Sequence, residues 1–314
     1  MSAALKRTLY YRTMNDRKTQ LEAKTIASSE WVWKSRLVSW LHGDDCLFWL
    51  CGKPASEKST LMNYLARTQR LLDFLPPREA PWCVIQFYFD FRAGVDVANT
   101  PTGMIRSLLL QLVEKVPAIC EFVHQTRQDD LSDDWNKNER ELLNIICESV
   151  EAINVNICAF IDGLDEYKGR VRELGACLIE LQERTKIKLM LASRPESRLE
   201  TIMLGIPLML MQEYNVPTIR AYIDTARELL QPFEASRLES LWRKVEQEAE
   251  GVILWAKFVV DELIDLTETE ATTKELHEAF HSYPTDLQGV YSRIFRRLPA
   301  QHVMHAAIAF RCAE

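Results

Sequence analysis

Leu47-Phe48-Trp49-Leu50-Cys51-Gly52-Lys53-Pro54-Ala55-Ser56-Glu57-Lys58-Ser59-Thr60-Leu61-Met62-Asn63-Tyr64-Leu65 is the stretch whose reading decides the rest of the chain. The apolar run Cys46 to Cys51 stops at Gly52, and apolar residues recur at helical spacing from Ser59 to Leu75, so the order is strand, loop, helix. The loop has the frame G-x-x-x-x-G-K-[ST] from Gly52 to Ser59, with Glu57 in the place of the second glycine. In an intact loop of this kind, backbone amides curl around a β-phosphate, the lysine reaches the β- and γ-phosphates and the next hydroxyl binds magnesium. Lys58 and Ser59 keep those two groups. Glu57 puts a side chain where backbone must approach phosphate, and its carboxylate repels the ligand in a poorly screened cleft. Taken alone, the frame is explained as well by an ordinary strand-to-helix turn.

Two further strand ends change that balance. Phe160-Ile161-Asp162-Gly163-Leu164-Asp165-Glu166 places three carboxylates directly after an apolar strand. An acid at such a tip reaches a magnesium ion, and a second acid a few residues on can orient or deprotonate an attacking water. Asp162 is the candidate metal ligand beside Ser59, and Asp165 or Glu166 the candidate base. Plain helix capping and solvation explains this pattern less well, because it follows a phosphate-loop frame by about a hundred residues. Lys188-Leu189-Met190-Leu191-Ala192 then ends in Ser193-Arg194-Pro195, where Arg194 is placed to sense a γ-phosphate or, equally on chemistry alone, to form a salt bridge at the sheet edge.

Cys83 to Phe89, Ile157 to Ile161 and Ile187 to Leu191 read as buried strands, with Pro207 to Met211 as the last. Helical stretches lie between them at Thr102 to Val116, Glu139 to Ile153 and Arg170 to Arg184. Alternation of this kind predicts a parallel sheet covered on both faces, an α/β architecture. Beyond Tyr214 the strand signals stop. Helices are expected at Val216 to Leu230, Ser236 to Glu248, Gly251 to Leu266, Thr273 to His281, Thr285 to Leu298 and Ala300 to Phe310. Ahead of the sheet, residues 1 to about 30 are weakly patterned, and one amphipathic helix follows around Trp31 to Leu41. The expected division is residues 1–43 as a leader with an N-terminal helix, 44–214 as a nucleotide-binding domain, and 215–314 as an all-α domain.

Composition limits the remaining classes. A net charge of −7 with no Lys/Arg block lacks the electrostatic footprint of nucleic-acid binding, so nucleic acid is not an expected partner. Eight cysteines without a C-x-x-C pair read as reduced thiols packed as small hydrophobes, which favours a cytoplasmic location. No uncharged run of 18 residues occurs, so no membrane span is expected. His277-Glu278-Ala279-Phe280-His281 matches the zinc motif H-E-x-x-H, yet no further ligand follows at useful spacing and a solvated helix end is favoured. Asp129, Asp130, Asp133 and Asp134 do not fit a calcium-loop spacing and read as a solvated acidic loop.

In combination, LFWLCGKPASEKSTLMNYL, FIDGLDE and KLMLASRPE resemble the NACHT domains of STAND-class signalling ATPases, and among them the fungal NACHT proteins and nephrocystin-type N-terminal modules. NVPTIRAYI, EGVILWAKFVVDEL and YPTDLQGVYSRIFRRL resemble the segments that follow in that family, so the likeness runs from about residue 30 to residue 298. The resemblance implies a P-loop NTPase fold with a C-terminal, winged-helix-proximal helical domain. It also implies ATP or ADP with magnesium as the ligand, held by Gly52, Lys53, Pro54, Ala55, Ser56, Glu57, Lys58, Ser59, Thr60 and Arg194. Self-association through the nucleotide-binding domain, with protein partners that remain unnamed, is implied as well. The family has glycine at the positions of Ala55 and Glu57, so this chain is expected to be a nucleotide-binding signalling or scaffold module with weak or absent hydrolysis. Two alternatives stay open: a competent ATP-dependent oligomerisation switch, and a protein-interaction remnant of a larger protein.

Overall fold

Short apolar runs bounded by glycine, proline or polar residues are too brief for helices, and here they form strands. The computed structural model describes residues 2–22, 30–90, 97–126, 139–269, 271–284, 289–290 and 292–293. Its sheet comprises β1 (Leu47–Cys51), β2 (Trp82–Tyr88), β3 (Asn156–Asp162), β4 (Lys188–Ser193) and β5 (Leu208–Leu210), in the order β2-β3-β4-β1-β5. The ladders β2–β3, β3–β4 and β4–β1 are parallel, with Tyr88 opposite Asp162, Ile161 opposite Leu191 and Cys51 opposite Ser193. Because these strands are parallel and in register at one end, the loops after β1, β3 and β4 leave the sheet on a common rim. In an open α/β sheet that rim is where ligands bind.

The described residues fall into two compact units, one from 1–52 and 57–209, the other from 53–56 and 210–314. In the first, α1 (Ser2–Leu9), α2 (Asp16–Glu22), α3 (Arg36–His42), α4 (Lys58–Arg67), α5 (Arg70–Phe74), α6 (Pro101–Lys115), α7 (Pro117–Thr126), α8 (Glu139–Ile153), α9 (Val171–Thr185) and α10 (Ser197–Glu200) surround the strands. Helix α4 packs on β2, β3 and β4, and α6 packs on β2 and α8. Burial of every residue of β4, including Lys188, and of Phe160, Ile161, Leu189 and Met190 marks the sheet centre. Lys188 satisfies its ammonium on the carbonyls of Trp40 (2.7 Å), Gly43 (2.9 Å) and Asp45 (3.1 Å), where the end of α3 supplies partial negative charge.

The leader departs from the weak pattern of its sequence. Leu5 and Leu9 are fully buried, α1 packs on α6 and α2 on α4 and β2, because a short helix gains its stability from the face it docks and not from its own propensity. The single helix expected from Ser59 to Leu75 is two, since Thr68 takes an extended conformation (ψ 130°) and ends α4. Helix α7, which the periodicity did not distinguish, begins at Pro117, a residue suited to a first helical turn.

In the second unit α11 (Met211–Tyr214) precedes α12 (Val216–Leu229), α13 (Pro232–Glu248), α14 (Ile253–Glu268) and α15 (Thr273–His281). Their apolar faces enclose Ile219, Ile223, Leu241, Trp242, Trp255 and Phe280. Helix α13 starts four residues earlier than its periodicity suggests, with Pro232 in the first turn and the Gln231 amide donating to the Glu234 carboxylate at 3.2 Å. Glu262 and Arg293 form a bidentate ion pair (2.6 and 3.2 Å) in this unit. The helices expected at Thr285 to Leu298 and Ala300 to Phe310, and the acidic loop at Asp129 to Asp134, lie largely or wholly outside the described residues. Among the described residues no helix is long and apolar enough to cross a membrane.

Candidate nucleotide site

The loop between β1 and α4 keeps a shape that its side chains oppose. Ala55 (φ 57°) and Glu57 (φ 66°, ψ 22°) both adopt the left-handed conformation, which costs a residue with a Cβ roughly 1–2 kcal/mol. The curl that glycines would provide is therefore present without them. Glu57 is exposed and stands at the N-cap of α4, with no side-chain hydrogen bond to the helix. The positive end of a helix such as α4 favours negative charge, from a carboxylate as from a phosphate. At the base of the loop the Gly52 amide donates to Ser193 O at 3.2 Å, tying the turn to the neighbouring strand β4. The tip, residues 53–56, groups with the second unit; within it the buried Asn215 amide donates to Ser56 O (3.2 Å) and Gly251 O (2.8 Å), and Lys53 pairs with Glu250. Pro54 is exposed and Thr60 is buried on the core side of α4.

Helix α4 aims its first residues at the acidic end of β3. Lys58 Nζ donates to Gly52 O at 2.7 Å and is half-buried. Burial lowers its pKa, while the carboxylates of Asp162 and Asp165 act in the opposite sense and the Arg194 guanidinium reinforces the lowering. Asp162, the last residue of β3, is buried, and loss of water raises its pKa; a hydrogen bond with Ser59 and the positive charges of Lys58 and Arg17 oppose that rise. Lys58, Ser59, Asp162, Asp165 and Arg194 therefore share one electrostatic neighbourhood in the first unit.

The turn after Asp162 depends on one glycine. Gly163 has φ +76°, and a Cβ there would stand 2.8 Å from Phe89 O, so both the backbone angle and the space exclude a side chain. The following 3₁₀ turn, Leu164–Glu166, carries the two remaining acids. Asp165 Oδ1 accepts the Arg194 backbone amide at 2.9 Å, and Oδ2 pairs with Arg194 Nε at 3.1 Å. Arg198, from α10, donates through Nη2 to Asp165 O (2.8 Å) and through Nη1 to Tyr167 O (3.3 Å), clasping the same turn from the β4 side. Glu166 offers its backbone carbonyl to Asn99 Nδ2 at 3.2 Å. Sequence reasoning missed Arg17 and Arg198. Each is a lone arginine in an ordinary polar context, and only the neighbouring loops show what it faces.

Elsewhere the candidate chemistry is weak. His277 and His281 share one face of α15, but Lys244 Nζ lies 3.4 Å from His281 Nε2 and Ser240 Oγ 3.5 Å from His277 Nε2, while Glu278 pairs with Lys274. An ammonium takes the ring lone pair that zinc would need. Among the described residues no three His, Cys, Asp or Glu side chains are grouped to hold a metal. Seven described cysteines are free thiols; burial pushes Cys158 and Cys177 up to about 12 and Cys147 up to about 11, which leaves them unreactive.

Known proteins provide two kinds of comparison. Distant structural similarities include a chain of Drosophila ORC bound to DNA (13% identity, TM-score 0.39), of which this chain spans 63% of the length while 85% of its own is covered. The Aeropyrum pernix ORC2 protein in its ADP form is 12% identical over 88% of this chain and 72% of its own, with a TM-score of 0.42. A Walker-type ATPase of Pyrococcus abyssi is 14% identical over 93% and 80%, with a TM-score of 0.43. No curated protein matches the chain. The sequence match is the decisive one: residues 27–194, more than half the chain, match the family described as nephrocystin 3, N-terminal, and they contain the loop after β1, the acidic turn after β3 and Arg194. The chain belongs to the nephrocystin 3 N-terminal family, as a nephrocystin-type P-loop module.

Proposed function

We propose that this chain is a NACHT-type nucleotide-binding module of a signalling or scaffold protein, which binds ATP or ADP with magnesium weakly and hydrolyses it slowly or not at all. The observation that carries the reading is the left-handed backbone at Ala55 and Glu57 beside the cluster of Lys58, Ser59, Asp162 and Arg194. A loop that had lost its ligand entirely would have little reason to hold two strained residues in a phosphate-curling shape. In this reading the amides of the loop and Lys58 hold the β-phosphate, Ser59 and Asp162 hold magnesium, Arg194 meets a third phosphate, and Asp165 or Glu166 faces the attacking water. Magnesium would supply charge neutralisation between the phosphates when bound. Glu57 sets the weakness, through like charge at the helix terminus.

A cytoplasmic site of action belongs to the same reading. Self-association through the nucleotide-binding unit is the proposed output. Titration calorimetry with ATP and ADP in magnesium tests the reading: weak binding that Lys58→Ala abolishes is expected, and micromolar binding followed by fast turnover would refute it. A competent switch is the second reading, favoured by the exposure of Glu57, whose side chain is not packed into the loop. It requires an assembly that changes size when ATP is added.

A further inference from the structure

Asp165, one of the two acids proposed for the water, is already engaged. Its side chain is only 6% exposed, while that of Arg194 is 45% exposed. One carboxylate oxygen is held by the Arg194 backbone amide at 2.9 Å and the other by Arg194 Nε at 3.1 Å. Arg198 holds the carbonyl of Asp165 itself and that of Tyr167 two residues on, so the acid cannot follow the arginine far if the arginine moves. A carboxylate whose oxygens both accept from one residue is poorly disposed to take a proton from water. It is well disposed to hold a guanidinium in one orientation.

We infer that Asp165 is a positioning and specificity-determining residue, which docks the Arg194 side chain whenever no third phosphate engages it and sets how strongly the site prefers one. The inference rests on the reading of Arg194 as the group that meets that phosphate. Arg194 must give up Nε···Oδ2 before its guanidinium can reach outward, whereas the bond from its backbone amide to Oδ1 needs no rotation of the side chain and can persist. The hinge is therefore the Arg194 side chain alone, turning about a fixed backbone. A diphosphate makes no demand on Arg194 and leaves the pair closed. A triphosphate must outcompete a partly exposed ion pair, a competition worth about three- to tenfold in affinity at this degree of exposure.

The experiment measures equilibrium binding of ADP and of a non-hydrolysable ATP analogue, both with magnesium, to the full chain and its variants. Asp165→Asn keeps an acceptor for the Arg194 amide and removes the charge that holds the guanidinium. It is expected to raise the affinity for the triphosphate analogue about three- to tenfold relative to ADP, with ADP binding little changed. In Arg194→Ala the two nucleotides should bind alike, and adding Asp165→Asn to it should do nothing more, as coupled residues require. A purely structural role for Asp165 would weaken both nucleotides together. If Asp165→Asn is poorly folded, Asp165→Ser supplies the same comparison with a smaller acceptor. An unchanged preference in a folded Asp165 variant that still binds nucleotide overturns this inference and leaves the nucleotide reading intact; binding of neither nucleotide by the unmodified chain overturns both.

Discussion

Glu57 is the residue on which the competence of the loop turns. Its left-handed backbone is strained and its charge stands at the positive end of α4, so Glu57→Gly removes about 1 kcal/mol of strain and adds a similar loss of unfolded-chain restriction. Thermal stability should therefore change by no more than a few degrees, whereas nucleotide affinity should rise about tenfold as one like charge leaves the phosphate cradle. Calorimetry beside a melting curve separates the two, and unchanged affinity would show that Glu57 does not set the weakness. Asp162 supplies a pH signature. Burial raises its folded-state pKa above the ordinary carboxylate range, and magnesium needs the ionised form. As the pH falls, magnesium-dependent affinity should decline at a higher pH than an exposed aspartate would dictate. In the nucleotide-free protein the sign is opposite: the ionised carboxylate is what folding disfavours, so its cost is present at neutral pH and disappears below its unfolded-state pKa. Asp162→Asn should abolish the magnesium dependence altogether, as binding measured with and without magnesium will show.

At the scale of elements, two devices keep the sheet and its rim in order. Gly163 permits the turn that carries the acids, and Gly163→Ala places a methyl against Phe89 O in a conformation that disfavours it. A loss of about 2 kcal/mol or more is expected, read as a fall in denaturant midpoint, because two separate penalties add. The outer edge of β2 is closed by side chains of α6. Gln111 donates from Nε2 to Gln86 O at 2.7 Å and accepts the Gln86 amide on Oε1 at 3.0 Å, so its carboxamide stands where a neighbouring peptide would, and Lys115 caps Val84 O at 2.5 Å. Exposed strand edges recruit other strands. Gln111→Leu should uncover two backbone groups and promote concentration-dependent aggregation with increased strand signal in circular dichroism; a variant that stays monodisperse would show the cap to be dispensable.

For the whole molecule, the two compact units have separate apolar cores, and each can be weakened by itself. Trp242 is 1% exposed in the helical unit, and Trp242→Ala should cost about 3–5 kcal/mol there. If that unit is needed only for assembly, nucleotide affinity survives while any ATP-dependent change in size-exclusion profile is lost. Loss of nucleotide binding in the same variant would show that the helical unit is needed for more than assembly.

Much of this was legible in the chain itself. The alternation of short apolar runs with helical stretches specified a parallel sheet, since a period of two or 3.6 residues is a local property that any packing must respect. The G-x-x-x-x-G-K-[ST] frame and FIDGLDE marked Lys58, Ser59 and Asp162 because strand ends of this kind are defined by adjacent residues. What the chain could not disclose is whatever depends on partners distant in sequence. The left-handed backbone at Ala55 and Glu57 contradicts local preference and is imposed by the loop's surroundings. The engagement of Asp165 with Arg194 joins residues 29 apart, and the clasp by Arg198 reaches from β4's far end to the turn after β3. The docking of α1 and α2, too short and too weakly patterned to stand alone, depends on faces supplied by α6, α4 and β2. Local pattern determines which elements form, because it governs the conformational preferences of neighbouring residues. Only the packed sheet decides which charges meet, because charge pairing depends on distances that the chain closes by folding.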